Sequence, residues 1–189
     1  MKKKILVTGG MGYIGSHTCV ELIAAGYEVI IIDNLSNSDV KVLDGIEKIT
    51  GIRPEFHCFD LICEKITKDF FSKHGDLSGV IHFAAFKAVG ESVENPLKYY
   101  HNNLVSLMNI LHNLQDMNNP LVFSSSCTVY GQPDILPVTE DSPVKPAMSP
   151  YGNTKQIAEE MIREYSVSNS QFRAMLLRYF NPIGAHETA

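Results

Sequence analysis

A glycine-rich turn near the start of the chain constrains the fold more than any other feature of the sequence. Gly9, Gly12 and Gly15 have the spacing G-x-x-G-x-x-G. They follow residues 4–8, an apolar run typical of a strand buried on both faces of a parallel sheet. They precede residues 16–25, whose apolar spacing predicts a helix. In a strand-turn-helix unit of this kind, glycines let the backbone approach a pyrophosphate, and the helix N-terminus offers unpaired N–H groups.

The alternation of strands and helices continues along the chain. Further strands are predicted at residues 28–33, 54–59, 79–83, 121–125 and 172–178, and further helices at residues 63–73, 95–115 and 153–166. Residues 132–150 contain five prolines, which predicts a long loop there. Six strands alternating with helices predict an α/β fold with a doubly wound, Rossmann-type parallel sheet.

Composition excludes several classes of function. The 189 residues are enough for one domain, or for one domain and the start of another, and a net charge of -5 gives no attraction to nucleic acid or to an anionic membrane. No apolar stretch approaches the length of a membrane span. The four cysteines form no Cys-x-x-Cys pair and have no histidines at zinc-ligand spacing. We therefore expect reduced thiols, a cytoplasmic protein and no metal site.

Asp33 ends the second predicted strand, about 20 residues beyond the glycine turn, where dinucleotide-binding folds place an acid that binds the adenosine ribose. Its carboxylate can accept a hydrogen bond from a ribose 2′-OH and would repel a 2′-phosphate. No arginine follows nearby to reverse that preference. These features predict dinucleotide binding, with NAD favoured over NADP.

Polar side chains lie at the end of the fifth predicted strand and at the start of the helix predicted after it. Serine hydroxyls at 124–126 are expected at the carboxyl edge of the sheet, where they bind a sugar hydroxyl or merely satisfy the backbone of a turn. Tyr151 and Lys155 lie four residues apart at a predicted helix start, so they share a face of that helix. A Tyr-x-x-x-Lys pattern alone arises often by chance. Here a neighbouring ammonium and a positive nicotinamide ring would favour the phenolate and make Tyr151 a general base.

These features together resemble the extended short-chain dehydrogenase/reductase superfamily, and within it the UDP-glucose 4-epimerase family. The resemblance extends over the whole chain. The matching stretches are residues 7–18, 33–38, 82–92, 99–103, 124–131, 149–155 and 177–186.

The resemblance implies a set of site residues. Tyr151 would remove the proton of the sugar C4-OH, Lys155 would hold the nicotinamide ribose and lower the tyrosine pKa, and Ser126 would hydrogen-bond the reacting oxygen. Substrate contacts are implied at Lys87, Ser126, Tyr151 and Asn181. Cofactor contacts are implied at Gly9, Gly12, Tyr13, Ile14, Gly15, Asp33, Asn34, Leu35, Ser36, Asn37, Ser38, Asp60, Leu61, Phe83, Ala84, Ala85, Phe86, Lys87, Asn102, Ser126, Tyr151, Lys155 and Phe180.

The activity implied is NAD-dependent interconversion of UDP-glucose and UDP-galactose through transient oxidation at C4 to a 4-keto sugar. Related dehydratases have an Asp-Glu pair where this chain has Cys127 and Thr128, which disfavours elimination of water. The family continues well beyond residue 189. The resemblance thus implies an NAD-binding domain at 1–180 and the start of a smaller substrate-binding region at 181–189. The alternatives are a truncated NAD-binding module without turnover of its own, and a nucleotide-sugar dehydratase or another sugar-nucleotide epimerase. Residues 95–115 could pair in a homodimer, or their apolar face could equally belong to the core.

Overall fold

The computed structural model describes residues 2–115, 117 and 119–187. Residues 188 and 189, which belong to the predicted second region, lie outside the described part. Over the described residues the strands are β1 (Lys4–Thr8), β2 (Glu28–Asp33), β3 (Glu55–Cys58), β4 (Leu77–His82), β5 (Leu121–Ser126) and β6 (Ala174–Tyr179). The α-helices are α1 (Tyr13–Ala24), α2 (Val42–Thr50), α3 (Glu64–Lys73), α4 (Val89–Glu94), α5 (Pro96–Leu114) and α6 (Pro150–Ser168), and a 3₁₀ turn spans Cys127–Tyr130.

The six strands form one sheet in the order β3-β2-β1-β4-β5-β6, and every neighbouring pair is parallel. The order reverses between β1 and β4, where Thr8 pairs with His82. Open α/β sheets bind ligands outside the carboxyl ends of the strands at such a reversal. The Rossmann-type sheet predicted from the sequence is confirmed.

The apolar strands pack on both faces of the sheet. Leu6 and Ile30 lie in a cluster with α3, α5 and α6, whereas Val7 and Ile31 lie in a second cluster with α1 and α2. Successive side chains of a strand point to opposite faces. A strand between two helical layers is therefore apolar at consecutive positions, which explains the unbroken runs in β1 and β2.

Two short helices were not predicted from the sequence. Helix α2 contains Gly45 and four β-branched residues, which weaken its intrinsic helical preference. It is followed by Gly51 in the left-handed conformation (φ 71°). Helix α4 has only six residues. Tertiary packing supplies what local preference lacks, because Leu43 and Ile46 of α2 are buried in the second cluster.

Helix α6 starts earlier than predicted. Pro150 was assigned to the preceding loop, but it occupies the first turn of the helix, where its missing N–H costs nothing. The Ser149 hydroxyl accepts a hydrogen bond from the Gly152 amide at 3.1 Å and caps the helix. The correction places Tyr151 in the first turn of α6.

Helix α5 contributes eight buried residues to the chain's own core, Leu107 and Ile110 among them. Its pairing in a homodimer stays a prediction. Among the described helices, none is both long and apolar enough to cross a bilayer.

Candidate functional site

A cleft of about 470 Å³ opens at the carboxyl edge of the sheet, across the reversal between β1 and β4. Nearly all of the predicted site residues line it. These are Gly9, Gly12, Tyr13, Ile14, Gly15, Asp33, Asn34, Ser36, Asn37, Ser38, Asp60, Leu61, Phe83, Ala84, Ala85, Phe86, Lys87, Asn102, Ser126, Tyr151, Lys155, Phe180 and Asn181.

Leu35 is the exception. Its side chain packs on the cluster of Val7 and Ile31 and does not line the cleft. Leu35 adopts a positive φ of 57°, which is unusual for a residue with a Cβ. Its amide donates to the Asp33 carboxylate at 2.9 Å. The Leu35 side chain thus belongs to the core, and the predicted cofactor contact at Leu35 stays a prediction.

The glycine turn leaves no room for side chains. A Cβ on Gly15 would lie 2.2 Å from the Gly9 carbonyl oxygen, and one on Gly9 would lie 2.7 Å from the Ala84 nitrogen. Gly9 also has a φ of +68°, which residues with a Cβ rarely adopt. The turn thus brings the β1–α1 connection against the backbone that follows β4.

The N-terminus of α1 points an uncapped set of amides at this cleft. Gly12 is the N-cap, no side chain caps the helix, and no acidic residue stands in the first turn. The amides of Tyr13, Ile14 and Gly15 have no carbonyl within the helix to bond. Unpaired amides at the positive end of a helix dipole suit a phosphate group.

Asp33 holds this turn together. Its carboxylate accepts hydrogen bonds from the Met11 amide at 3.1 Å, the Leu35 amide at 2.9 Å and the Ser38 hydroxyl at 2.9 Å. The residue is almost completely buried, at 9 % exposure. The acid that the sequence assigned to a ribose therefore also joins the glycine turn to the loop after β2.

Asn103, which the sequence analysis did not assign to the site, positions the loop after β4. Its side-chain oxygen accepts from the Phe86 amide at 2.9 Å, and its nitrogen donates to the Phe86 carbonyl at 3.0 Å and to the Thr154 hydroxyl at 3.2 Å. Asn103 is buried. Asn103 lies one turn from the buried residues Tyr99 and Leu107 of α5, and a polar residue at such a helical spacing is the sequence signal that could have identified it.

Lys155 is buried beneath the cleft, at 4 % exposure. Its Nζ donates to the Ser124 carbonyl at 2.7 Å and lies 4.8 Å from the centre of the Phe123 ring. Burial lowers the pKa of Lys155 from 10.5 to about 8. The ammonium is thus tied to the end of β5 by a backbone contact.

Tyr151 and Ser126 meet at the same edge. Burial raises the pKa of Tyr151 above its ordinary value of 10, and a hydrogen bond with Ser126 opposes that rise. Burial is the largest influence on the Tyr151 pKa, and the Lys155 ammonium bonds the Ser124 carbonyl. That Lys155 lowers the tyrosine pKa stays a prediction.

A buried acid on α6 binds the strands beside it. The Glu159 carboxylate accepts from the Ser125 hydroxyl at 2.6 Å and from two nitrogens of Arg178 at 2.9 and 2.8 Å. The Arg178 guanidinium lies 4.7 Å from the Tyr130 ring centre. Burial would raise the pKa of Glu159, but the bonds from Arg178 and Ser125 outweigh it and the pKa is lowered.

Glu159 was not predicted to be a site residue, although its position one helical turn after Lys155 places the two side chains on the same face of α6. Residues four apart share a helix face, and both side chains reach the end of β5 at consecutive positions, Ser124 and Ser125. The pair fixes the helix that carries Tyr151 against the strand that carries Ser126.

Two other groups complete the wall of the cleft. Cys127 and Thr128 line it, and the buried Thr128 hydroxyl has no hydrogen-bond partner among the described protein atoms.

The segment after β6 crosses the start of α1. There the Tyr13 hydroxyl donates to the Gly184 carbonyl, and the His186 amide donates to His17 Nε2 at 3.2 Å.

The sequence matches one protein family over most of its length, the NAD dependent epimerase/dehydratase family over residues 5–189. UDP-glucose 4-epimerase of Dictyostelium discoideum is 50% identical over 185 residues, which are 97% of this chain and 53% of that protein. UDP-glucose 4-epimerase of Bacillus subtilis is 48% identical over 183 residues, 96% of this chain and 53% of that protein.

The fold is similar to that of a solved epimerase. The crystal structure of UDP-glucose 4-epimerase from Bifidobacterium longum in complex with NAD⁺ and UDP superposes with a TM-score of 0.95 at 43% identity. The superposition covers 98% of this chain and 56% of that one. The chain thus spans about half the length of the relatives it matches.

Proposed function

The chain belongs to the NAD dependent epimerase/dehydratase family, and on that premise we propose that it binds NAD and carries the catalytic tyrosine of a UDP-glucose 4-epimerase. One observation carries the proposal. The cleft gathers the glycine turn, Asp33, Ser126, Tyr151 and Lys155 at one edge of the sheet. These residues come from four distant parts of the sequence, so their meeting is a property of the fold.

The residues fit a dinucleotide. The uncapped amides of α1 and the absence of acidic groups in its first turn suit a pyrophosphate. Gly9 and Gly15 let the turn pack tightly against neighbouring backbone, because a Cβ on Gly15 would meet Gly9 and one on Gly9 would meet Ala84. Asp33 lies at the end of β2 and lines the cleft, where its carboxylate can accept from a ribose hydroxyl.

Tyr151 would act as the general base and acid of the reaction. NAD, when bound, supplies a hydride acceptor that takes hydride from sugar C4 and returns it to the other face. Tyr151 would accept the C4-hydroxyl proton as the C–H bond breaks and return it when the 4-keto sugar is reduced, so no net oxidation occurs. Its raised pKa keeps the phenol protonated in the chain alone, so a positive charge in the cleft must lower that pKa before Tyr151 works as a base.

Ser126 and Lys155 would position the reacting groups. Ser126 hydrogen-bonds the phenol and lies where it can bind the same sugar oxygen. Lys155 would hold the nicotinamide ribose, and Lys87 and Asn181 would contact the substrate. The absence of a carboxylate at Cys127 and Thr128, both of which line the cleft, supports epimerisation over elimination.

The experiment is calorimetry with NAD⁺, followed by a coupled assay of UDP-galactose turnover. We expect NAD⁺ at 100 times its dissociation constant to stabilise the fold by about 2.7 kcal/mol. Tyr151→Phe should keep this binding and lose turnover by a factor of about 10²–10⁴. Failure of the chain to bind NAD⁺ contradicts the proposal, and full activity in Tyr151→Phe removes the tyrosine from its role.

A second candidate is an NAD-binding module without turnover of its own. The observation that favours it is coverage, because the chain aligns with about half of each relative. Binding of NAD⁺ without UDP-galactose turnover would support it, and turnover by the 189-residue chain would exclude it. For either function we propose a cytoplasmic location of the chain, since its cysteines are all free thiols (Cys19, Cys58, Cys63 and Cys127).

A further inference from the structure

A cluster of potential metal ligands lies on the outer edge of the sheet, away from the cleft. Glu55 and His57 are two residues apart on the edge strand β3, so their side chains point to the same face. His74 follows the end of α3 and reaches the same point. His57 Nε2 lies 2.6 Å and His74 Nε2 lies 3.1 Å from one Glu55 oxygen, and all three atoms lie within 4.8 Å of one another.

Phe70 fixes the orientation of both imidazole rings. The His74 ring stacks on the Phe70 ring at 4.1 Å, and the His57 ring meets it edge-on at 4.9 Å. Phe70 itself is buried in the core. The two histidines therefore rest on a rigid surface, and little conformational freedom remains to be lost when a ligand binds.

The hydrogen bond on the far side of His74 determines which nitrogen faces Glu55. His74 Nδ1 lies 2.8 Å from the Phe70 carbonyl oxygen. A carbonyl only accepts, so Nδ1 carries the proton and Nε2 of the neutral ring presents a lone pair. Histidines that bind metals usually donate their second nitrogen to a carbonyl or carboxylate in this way.

That lone pair points at a carboxylate oxygen. Two acceptors at 3.1 Å repel each other unless a proton or a metal cation lies between them. A cation bound to both atoms would remove that repulsion.

We propose that Glu55, His57 and His74 form a surface site for a divalent transition-metal ion of the zinc type. Two imidazoles and one carboxylate are the protein ligands of known three-ligand zinc sites, in which water takes the fourth position. Tetrahedral bonds of about 2.0–2.1 Å would separate the ligand atoms by about 3.3 Å. To reach that geometry the Glu55 contacts at 2.6 and 3.1 Å must lengthen slightly, and the two histidine nitrogens, which lie within 4.8 Å of each other, must come to about 3.3 Å.

The site would link β3 to the end of α3, and it is independent of the proposed enzymatic function. None of its three residues lines the cleft. This site differs from the expectation that the protein has no metal site, which rested on the lack of cysteine and histidine pairs at short spacing. Here one ligand pair follows strand alternation and the third ligand lies beyond a helix, so only the fold brings them together.

The test is titration of the chelator-treated 189-residue protein with ZnCl₂ at pH 7.5, followed by calorimetry and by melting temperature. We expect one ion per chain, and a rise of about 5–10 °C in the melting temperature at 100 times the dissociation constant. His74→Gln and His57→Gln should each weaken binding at least tenfold. Cobalt in place of zinc should give the intense visible absorption of a tetrahedral ion.

Two variants serve as matched controls. His112→Gln removes an exposed histidine of α5, and Cys58→Ser removes an exposed thiol next to His57. Both should leave zinc binding unchanged. The proposal would be overturned if the wild-type chain did not bind zinc, or if His57→Gln or His74→Gln bound zinc as tightly as the wild type. Loss of zinc binding in Cys58→Ser would also overturn it. Binding of NAD⁺ should be the same in all five proteins, which separates this test from that of the proposed function.

Discussion

The two sides of the cleft are built on opposite principles. On the β1–α1 side, Gly9 and Gly15 form a surface of bare backbone. A side chain on Gly15 would collide with Gly9, and one on Gly9 would collide with the segment after β4. On the β5–α6 side, Lys155 and Glu159 are buried charged residues that are bonded to consecutive residues of β5. The first side depends on the absence of side chains at its glycines. The second depends on the hydrogen bonds that the Lys155 and Glu159 side chains make with β5.

The difference shows how one cleft serves two tasks. A backbone surface can bind a phosphate without committing a charge, because the helix amides supply the field. Proton transfer needs a titratable group held within hydrogen-bond reach of its target. Substitutions on the two sides should therefore fail in different ways.

The largest effect is expected from Glu159→Gln. The substitution keeps the shape of the side chain but removes the charge opposite Arg178, whose pKa is raised mainly by its hydrogen bond with Glu159. Removing one partner of a buried ion pair costs about 3–5 kcal/mol, and Arg178, whose side chain is 17% exposed, would keep its charge without that partner. Urea denaturation measures the loss. Recovery of stability in the double variant Glu159→Leu with Arg178→Met would confirm the cause, and an unchanged midpoint in Glu159→Gln would contradict it.

On the glycine side, Gly15→Ala should destabilise the fold by about 1–3 kcal/mol through overpacking and remove measurable NAD⁺ binding. The added Cβ meets the Gly9 carbonyl and the Gly10 Cα, which are backbone atoms that cannot rotate away. Gly45→Ala is the control, because a Cβ at this exposed position of α2 meets nothing within 4 Å and alanine favours a helix by about 1 kcal/mol. Normal NAD⁺ affinity in Gly15→Ala would show that the turn is not the binding surface.

The lowered pKa of Lys155 predicts that the free energy of unfolding rises as pH increases. Because burial lowers its pKa from 10.5 to about 8, the unfolded chain binds more protons than the folded chain between these two values. The lysine therefore opposes folding below pH 8, and this cost disappears as pH rises towards 10.5. Relative to Lys155→Met, the wild-type chain should gain about 2–3 kcal/mol across that window. Parallel stability profiles of the two proteins would refute the shift.

The smallest effect is expected from Arg163→Ala, which sharpens the prediction for Glu159. Arg163 donates to the same carboxylate at 2.6 Å, but its side chain is 54% exposed. An exposed pair one helical turn apart contributes about 0.3–0.5 kcal/mol. A loss comparable to that of Glu159→Gln, measured by the same denaturation, would mean that exposure does not decide the strength of these contacts.

Local sequence determined the elements whose residues carry strong signals. The bounds of β1 and β2 are as predicted, because unbroken apolar runs and flanking glycines leave few alternatives. Helices α2 and α4 were missed since their preference is weak and neighbours stabilise them. Helix α6 begins earlier than predicted, at Pro150, because proline is common in the first turn of a helix as well as in loops.

By itself the sequence determined the Rossmann-type sheet, through the alternation of strands and helices, and the glycine turn, through spacing within a short segment. It also predicted Asp33, Ser126, Tyr151 and Lys155 from their positions at the ends of strands and at the start of a helix. Only the tertiary structure decided what surrounds them: Leu35 in the core, Asn103 on the loop after β4, Glu159 opposite Arg178, and His74 beside Glu55. These contacts join residues that are distant in the chain. Their partners are chosen by the packing of helices on the sheet, and no local pattern encodes that packing.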